Sequence, residues 1–311
     1  MVKIKKNISL KNLSTFKIGG RVRFFCEVRN DKELLESLRM AKKLRIPYKI
    51  IAGGSNVVFP DKILNCLLIK IKSNRLKIIK NKIIIDAGVS LLRVIAAANR
   101  RGLRGLETLA GIPGTIGGAI VGNAGAYGHS ISEVVERVEM LNETGDKRWV
   151  TNRNCKFEYR ESVFKKKPYI ILRAVFNFQK GLPADGRGNP EKLQKISRNI
   201  IKIRLKKYKP GLRCPGSFFK NVLISGISKK SLALIDKNKI IDGKIPAGYL
   251  LEEVSAKGMK LGGTKIADFH GNLFVNTGGA KAAEVERLAK ILKSKVQKKF
   301  HINLEEEIHY F

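Results

Sequence analysis

Residues 102–130 read GLRGLETLAGIPGTIGGAIVGNAGAYGHS, and this stretch decides the fold. Glycines at 105, 111, 114, 117, 118, 122, 125 and 128 sit among Leu, Ile and Val. A flexible linker would pair glycine with serine and polar filler, and a disordered tail would lack the aliphatics. Each glycine held in one conformation costs roughly 0.5–1 kcal/mol relative to alanine. That cost is tolerable where the chain turns tightly or lies against a ligand, so backbone here is expected to cradle something.

Upstream, KIIIDAGVS reads as a strand ending in a glycine turn. SLLRVIAAANRRG follows as a helix, with Ser90 as N-cap, Leu91, Val94, Ile95 and Ala98 inward, and Gly102 as its stop. Further back, the strand YKIIA delivers the chain into Gly53, Gly54, Ser55 and Asn56. Converging N–H groups and two side-chain donors suit a pyrophosphate there; by itself the tetrad reads equally as an ordinary tight turn. Neither it nor the opening stretch fits GxGxxG or the Walker pattern. Before them come a Gly19-Gly20 turn, a β-rich run from Val22 to Val28, and a helix capped by Asn30 or Asp31. Leu34, Leu35, Leu38, Ala41 and Leu44 repeat at helical spacing and Pro47 ends it.

Downstream, VVERVEMLNETGDKRWVT predicts a hairpin about Thr144-Gly145, and PYIILRAVFNFQ another strand. Between them Glu158, Tyr159, Arg160, Glu161 and Ser162 set an arginine among carboxylates, a pattern that also fits a solvated charge run. GLPADGRGNPEK reads as a polar loop. Pro190 opens a helix with Leu193, Ile196, Ile200 and Ile203 on one face, and KYKPGLRCPG breaks it at the main domain boundary. GSFFKN presents Ser217, Lys220 and Asn221. A long helix from about Ala280 to Phe300 turns Val285, Leu288, Ile291, Leu292 and Val296 inward. In the closing HINLEEEIHYF, Leu304, Glu306 and Ile308 alternate with Glu305, Glu307 and His309.

Lys and Arg number 62 against 26 Asp and Glu, a formal charge of +36. Such an excess invites a nucleic-acid reading. Lysine is spread through nearly every segment, however, and aromatics are only 7%, so attraction of anionic small molecules is the simpler reading. Affinity for a polyanion or membrane surface is the alternative. Cys26, Cys66, Cys155 and Cys214 form no CxxC pair and the four histidines no HExxH, so no metal site or disulfide is expected. No apolar run approaches the roughly eighteen residues of a membrane span, and the basic start leads into no secretion segment. The cytoplasm is the expected compartment.

As a set, STFKIGG, AGGSNVVFPD, DAGVSLLRVI, GLETLAGIPGTIGGAIVGNAGAYG, CKFEYRESVF, GSFFKN, AGYLLEEVSAKGMKLGGTKIADFHGN and LEEEI resemble the UDP-N-acetylmuramate dehydrogenase family, in its shorter class without an extra tyrosine-bearing loop. The blocks occur in order from about Leu13 to Ile308. The resemblance implies an α+β fold: FAD-binding subdomains of the vanillyl-alcohol-oxidase type at 1–72 and 73–207, and a C-terminal substrate-binding domain at 208–311. It implies FAD as cofactor and NADPH as reductant. It further implies reduction of the enolpyruvyl ether of UDP-N-acetylglucosamine to UDP-N-acetylmuramate in peptidoglycan precursor synthesis, a hydride passing from flavin N5 to the vinyl carbon. No His or Cys attachment motif for covalent flavin is evident.

Carried over by motif, Ser217 delivers the proton, while Arg160 and Glu307 clamp the substrate carboxylate. Gly53, Gly54, Ser55 and Asn56 match the pyrophosphate turn, and Gly111, Thr115, Gly117, Gly118, Asn123 and Gly125 the second flavin-contacting loop. Lys220, Asn221 and Asn272 are the expected substrate contacts. Four departures stand out: Ala52 for a third glycine, GNAG for MNAG, HGN for HAN, and His309 for the arginine of the usual EVR ending. The last removes a fixed charge near Glu307.

Overall fold

A computed structural model describes residues 2–178 and 188–311. The first seven residues of the expected polar loop, 181–187, lie outside the described residues. Helices and strands are mixed along the whole chain, an α+β fold, and no described helix is long and apolar enough to cross a membrane.

The chain forms two compact units. The first comprises Met1–Lys6, Phe24–Gly53 and Asn65–Lys206; the second comprises Asn7–Arg23, Gly54–Leu64 and Lys207–Phe311. The break at Lys206 lies beside the boundary expected from KYKPG, and most of 1–72 falls in the same unit as 73–206. Cys26, Leu34, Leu67 and Ile69 share one hydrophobic core with Ile83, Ile85, Val138 and Ala174. A second core joins Phe16, Ile18 and Val58 to Phe218, Leu250, Val285 and Leu292, which is why the two short early segments group with the C-terminal residues.

Among the described residues, two sheets have four or more strands. One orders Lys5–Ser9, Arg21–Val28, Leu64–Ile71 and Tyr48–Ile51, the last two parallel. The other orders Lys147–Thr151, Val135–Leu141, Ile170–Asn177, Lys82–Asp86 and Leu76–Ile79, antiparallel throughout. The helix Asp31–Lys43 starts as its sequence requires, Glu33 N–H donating to the Asn30 side chain. Leu91–Arg100 buries Leu91, Val94, Ile95 and Ala98. The glycine-rich stretch contains a further helix, Ile116–Val121, capped by Thr115.

In the second unit the helix Ala282–Phe300 buries Val285, Leu288, Leu292 and Val296. Its first peptide groups are satisfied from a distance: Ala282 and Ala283 N–H donate to the Asp61 carboxylate at 2.9 and 3.2 Å. Two expected core positions are instead exposed, Ile291 in this helix and Ile203 in Pro190–Lys207. Both sit at the margin of their apolar stripe, where helical spacing alone does not fix the side that packs.

Candidate active site

Within the first unit, the turn at Ala52-Gly53 meets the glycine-rich stretch with no side chain between. A Cβ on Gly53 would stand 3.0 Å from the Gly114 Cα, and one on Gly118 3.5 Å from the Ala52 Cβ. A Cβ on Gly117 would stand 3.1 Å from the Ala87 Cβ, and Gly117 N–H donates to the Ala87 carbonyl at 2.8 Å. Turns without side chains let a dinucleotide lie close against the backbone, so the residues present fit FAD. Thr115 holds the stretch at the start of its short helix, accepting from Gly118 N–H at 3.5 Å.

Arg160 is presented by a tight turn. Glu158 and Glu161 exchange backbone hydrogen bonds of 3.1 and 3.2 Å, leaving Tyr159 and Arg160 as its central pair. Arg160 takes the left-handed conformation, φ 58°, a position that glycine usually fills. A large residue kept there stores strain characteristic of functional sites. Three contacts hold it: Arg160 Nη2 donates to Gly125 O at 2.7 Å, its guanidinium lies 5.2 Å from the Tyr159 ring centre, and Lys165 Nζ donates to its carbonyl.

Asn123 and Gly125, expected against the flavin, serve this turn. Asn123 is 6% exposed; its Nδ2 donates to Glu158 O at 2.8 Å and its Oδ1 accepts from Ser132 N–H. On Gly125 a Cβ would fall 2.5 Å from His129 O and 3.2 Å from Arg160 Nη1. Gly111 is covered by Arg204, whose Cδ would lie 3.1 Å from a Cβ there.

Within the second unit, residues 217–220 run between two neighbours. On one side Ser217 bridges Leu273, and Phe218 N–H donates to Asn272 O. On the other Phe219 bridges Glu306, Glu307 N–H donates to Phe218 O at 2.8 Å, and Lys220 N–H to Glu305 O. Phe218 stacks on Phe274 with ring centres 3.7 Å apart beneath this strand. Ser217 and Glu307 are thus carried on paired backbone. Asn56 joins them, its Nδ2 donating to Glu307 O at 3.1 Å, and His309-Tyr310 continues in parallel with Val57-Val58.

Gly54 has φ 68°, and a Cβ would come within 1.9 Å of Leu13 O, so that turn admits glycine alone. Its carbonyl accepts from Thr15 N–H, while Thr15 Oγ1 donates to Cys214 O.

The expected substrate contacts hold protein partners. Asn272 is 2% exposed and grips Phe219 at both ends, Oδ1 accepting its N–H and Nδ2 donating to its carbonyl, each at 2.8 Å. Asn221 Oδ1 accepts from Ala247 N–H. Lys220 is 6% exposed and ion-paired with Glu305. Glu306 meets Lys293 at 2.6 Å, so two of the three consecutive carboxylates are offset by lysines.

One neighbour of Ser217 is not legible in the sequence. The Tyr208 hydroxyl lies 3.0 Å from Ser217 Oγ, and its segment, KYKPG, signalled only a break. Behind Asn272, His270 Nδ1 accepts its N–H at 3.0 Å. Burial and nearby Lys207 push this imidazole down to about 4, outweighing the pull of Glu252, so it is neutral at pH 7.

Residues 22–151 match the family described as FAD binding domain, and 207–311 the UDP-N-acetylenolpyruvoylglucosamine reductase C-terminal domain. The UDP-N-acetylenolpyruvoylglucosamine reductase of Solibacter usitatus is 37% identical over 99% of this chain and 96% of its own. That of Caldicellulosiruptor bescii is 34% identical over 99% and 91%. The crystal structure of UDP-N-acetylenolpyruvylglucosamine reductase (MurB) from Thermus caldophilus superposes with a TM-score of 0.77 at 25% identity, covering both chains fully.

Proposed function

Because the chain belongs to the UDP-N-acetylenolpyruvoylglucosamine reductase family, we propose that it reduces the enolpyruvyl ether of UDP-N-acetylglucosamine to UDP-N-acetylmuramate, with FAD as cofactor and NADPH as reductant. The reaction belongs to peptidoglycan precursor synthesis, and the cytoplasm, where the nucleotide substrates are made, is its place. The observation that carries the reading is the backbone pairing of the Ser217 strand with the Glu307 strand, Glu307 N–H on Phe218 O.

Bound FAD supplies the two-electron chemistry, carrying reducing equivalents from NADPH to the sugar nucleotide. Gly53, Gly54, Ser55 and Asn56 hold its diphosphate in this reading, with Gly117 and Gly118 giving backbone access. The chain's own residues then manage charge and one proton. Reduction at the terminal vinyl carbon leaves carbanion character on the carbon that bears the carboxylate, so negative charge grows there. Arg160, held in its strained turn, supplies fixed positive charge to that carboxylate, and a prepositioned charge stabilises the transition state without reorganising. Ser217 gives its hydroxyl proton to the carbon. A serine hydroxyl is a weak acid, but a carbanion is a strong base, so position matters more than a tuned acidity.

Glu307 acts protonated or through a water, since a bare carboxylate facing the growing charge would raise the barrier. Lys220 reaches the substrate diphosphate by exchanging its Glu305 partner, which is 70% exposed and therefore free to swing away. Asn272 and Asn221 act through the strand they hold. FAD-loaded protein given NADPH and the enolpyruvyl substrate should yield a product heavier by two hydrogens in mass spectrometry; unchanged substrate would overturn the assignment.

A further inference from the structure

The Tyr208 hydroxyl stands 3.0 Å from Ser217 Oγ, and we propose that Tyr208 is a positioning and relay residue for Ser217, resupplying the proton that the serine gives up. This rests on the reading of Ser217 as proton donor. A serine that donates to carbon has its one hydrogen aimed at the substrate, so its oxygen must accept from any other partner. The phenol is then the donor in the pair. Accepting from Tyr208 fixes the rotation of the Ser217 hydroxyl, which otherwise turns freely about its C–O bond.

The proton balance closes. The Ser217 O–H bond breaks as the C–H bond forms, the Tyr208 O–H bond breaks as the serine hydroxyl is remade, and a solvent water protonates the phenolate. A phenol ionises at about 10, far below an alcohol, so the relay replaces an unstable alkoxide with a phenolate. Two features favour that phenolate. Lys207 Nζ lies 5.2 Å from the Tyr208 ring centre, close enough to offset the developing charge. Tyr208 is itself half-buried and followed by exposed Lys209 and Pro210, so solvent is at hand.

Tyr208→Phe keeps the ring and removes only the proton. In the FAD-loaded enzyme, flavin reduction by NADPH should keep its rate, while reoxidation by the enolpyruvyl substrate slows about 10²-fold. Rates in H₂O/D₂O mixtures give a second readout that a packing role would not move. With the Tyr208 proton moving in addition to the exchangeable hydrogens delivered to the two carbons, the wild-type dependence on deuterium fraction is bowed, and Y208F, with one hydrogen fewer in flight, should bow it less. In the FAD-free full chain, Y208F and Ser217→Ala delete the same hydrogen bond, so the double variant should melt no lower than the less stable single. A Y208F enzyme with unchanged reoxidation, with a dependence bowed as strongly as the wild type's, or with both half-reactions slowed alike overturns the relay. If Ser217→Ala also leaves reoxidation unchanged, the reading of Ser217 fails and the relay with it; if only Ser217→Ala slows it, that reading stands and the relay alone is refuted.

Discussion

Arg160 Nη2 donates to the Gly125 carbonyl at 2.7 Å, and the same glycine has no room for a side chain, because a Cβ there would meet His129 O at 2.5 Å and Arg160 Nη1 at 3.2 Å. Gly125→Ala should therefore displace the guanidinium while forcing the short Gly125-Ala126 strand off His129-Ser130. The strain should cost about 1–3 kcal/mol of stability, read as a lower midpoint in urea unfolding. Turnover of the enolpyruvyl substrate should fall further than flavin content does.

Asn123 offers a cleaner test of the same turn. Its φ of 39° is one that glycine accepts, so Asn123→Gly removes the amide without straining the backbone. Loss of the bonds to Glu158 O and Ser132 N–H should cost about 1–3 kcal/mol. Steady-state kinetics should show the KM for the enolpyruvyl substrate raised about tenfold, equivalent to about 1.4 kcal/mol, with flavin reduction by NADPH unchanged. An unaltered KM would detach Asn123 from the placement of Arg160.

A third expectation concerns acid. His270 is pushed down to about 4 by burial and Lys207, against an ordinary value near 6.5. The unfolded chain takes up the proton first, so stability is fully present above pH 6.5 and is lost as pH falls toward 4. A protonated Nδ1 can no longer accept Asn272 N–H, and Asn272 secures the strand of Ser217. Urea unfolding from pH 7 to 4 should show this loss, and His270→Asn should flatten it. Equal slopes for both proteins would contradict the assignment.

The cysteines should be inert in the native protein. All four are buried, and burial pushes each thiol up, Cys155 to about 12. Reaction requires the thiolate. A disulfide reagent at pH 8 should modify less than one thiol per chain within minutes, and all four after denaturation; rapid native modification would show that one of them is exposed.

These expectations mix what the sequence carries with what it cannot. The main strands, the Asn30 cap and the glycine blocks were legible, because local periodicity and turn chemistry encode them, whereas Ser90 precedes its helix without a side-chain cap bond. The helix Ile116–Val121 was not, since Gly117 and Gly118 argue against helix by propensity. Its reason is tertiary: Gly117 must lie against Ala87. The grouping of 7–23 and 54–64 with the C-terminal unit was equally hidden, for Asp61 caps a helix 221 residues away and Asn276 bonds Phe16 O. The site divides the same way. Arg160, Ser217 and Glu307 came from motif resemblance, whereas the second roles of Asn123, Gly125 and Asn272 needed coordinates. Tyr208 carried no signal, because a tyrosine before Lys-Pro-Gly reads simply as a chain break.

One anaerobic absorbance trace of the FAD-loaded protein follows both half-reactions. NADPH added alone should bleach the flavin bands, and enolpyruvyl UDP-N-acetylglucosamine added next should restore them, with one equivalent of UDP-N-acetylmuramate per flavin. Protein that binds no FAD, or a bleached flavin whose colour the sugar nucleotide fails to restore, would contradict it.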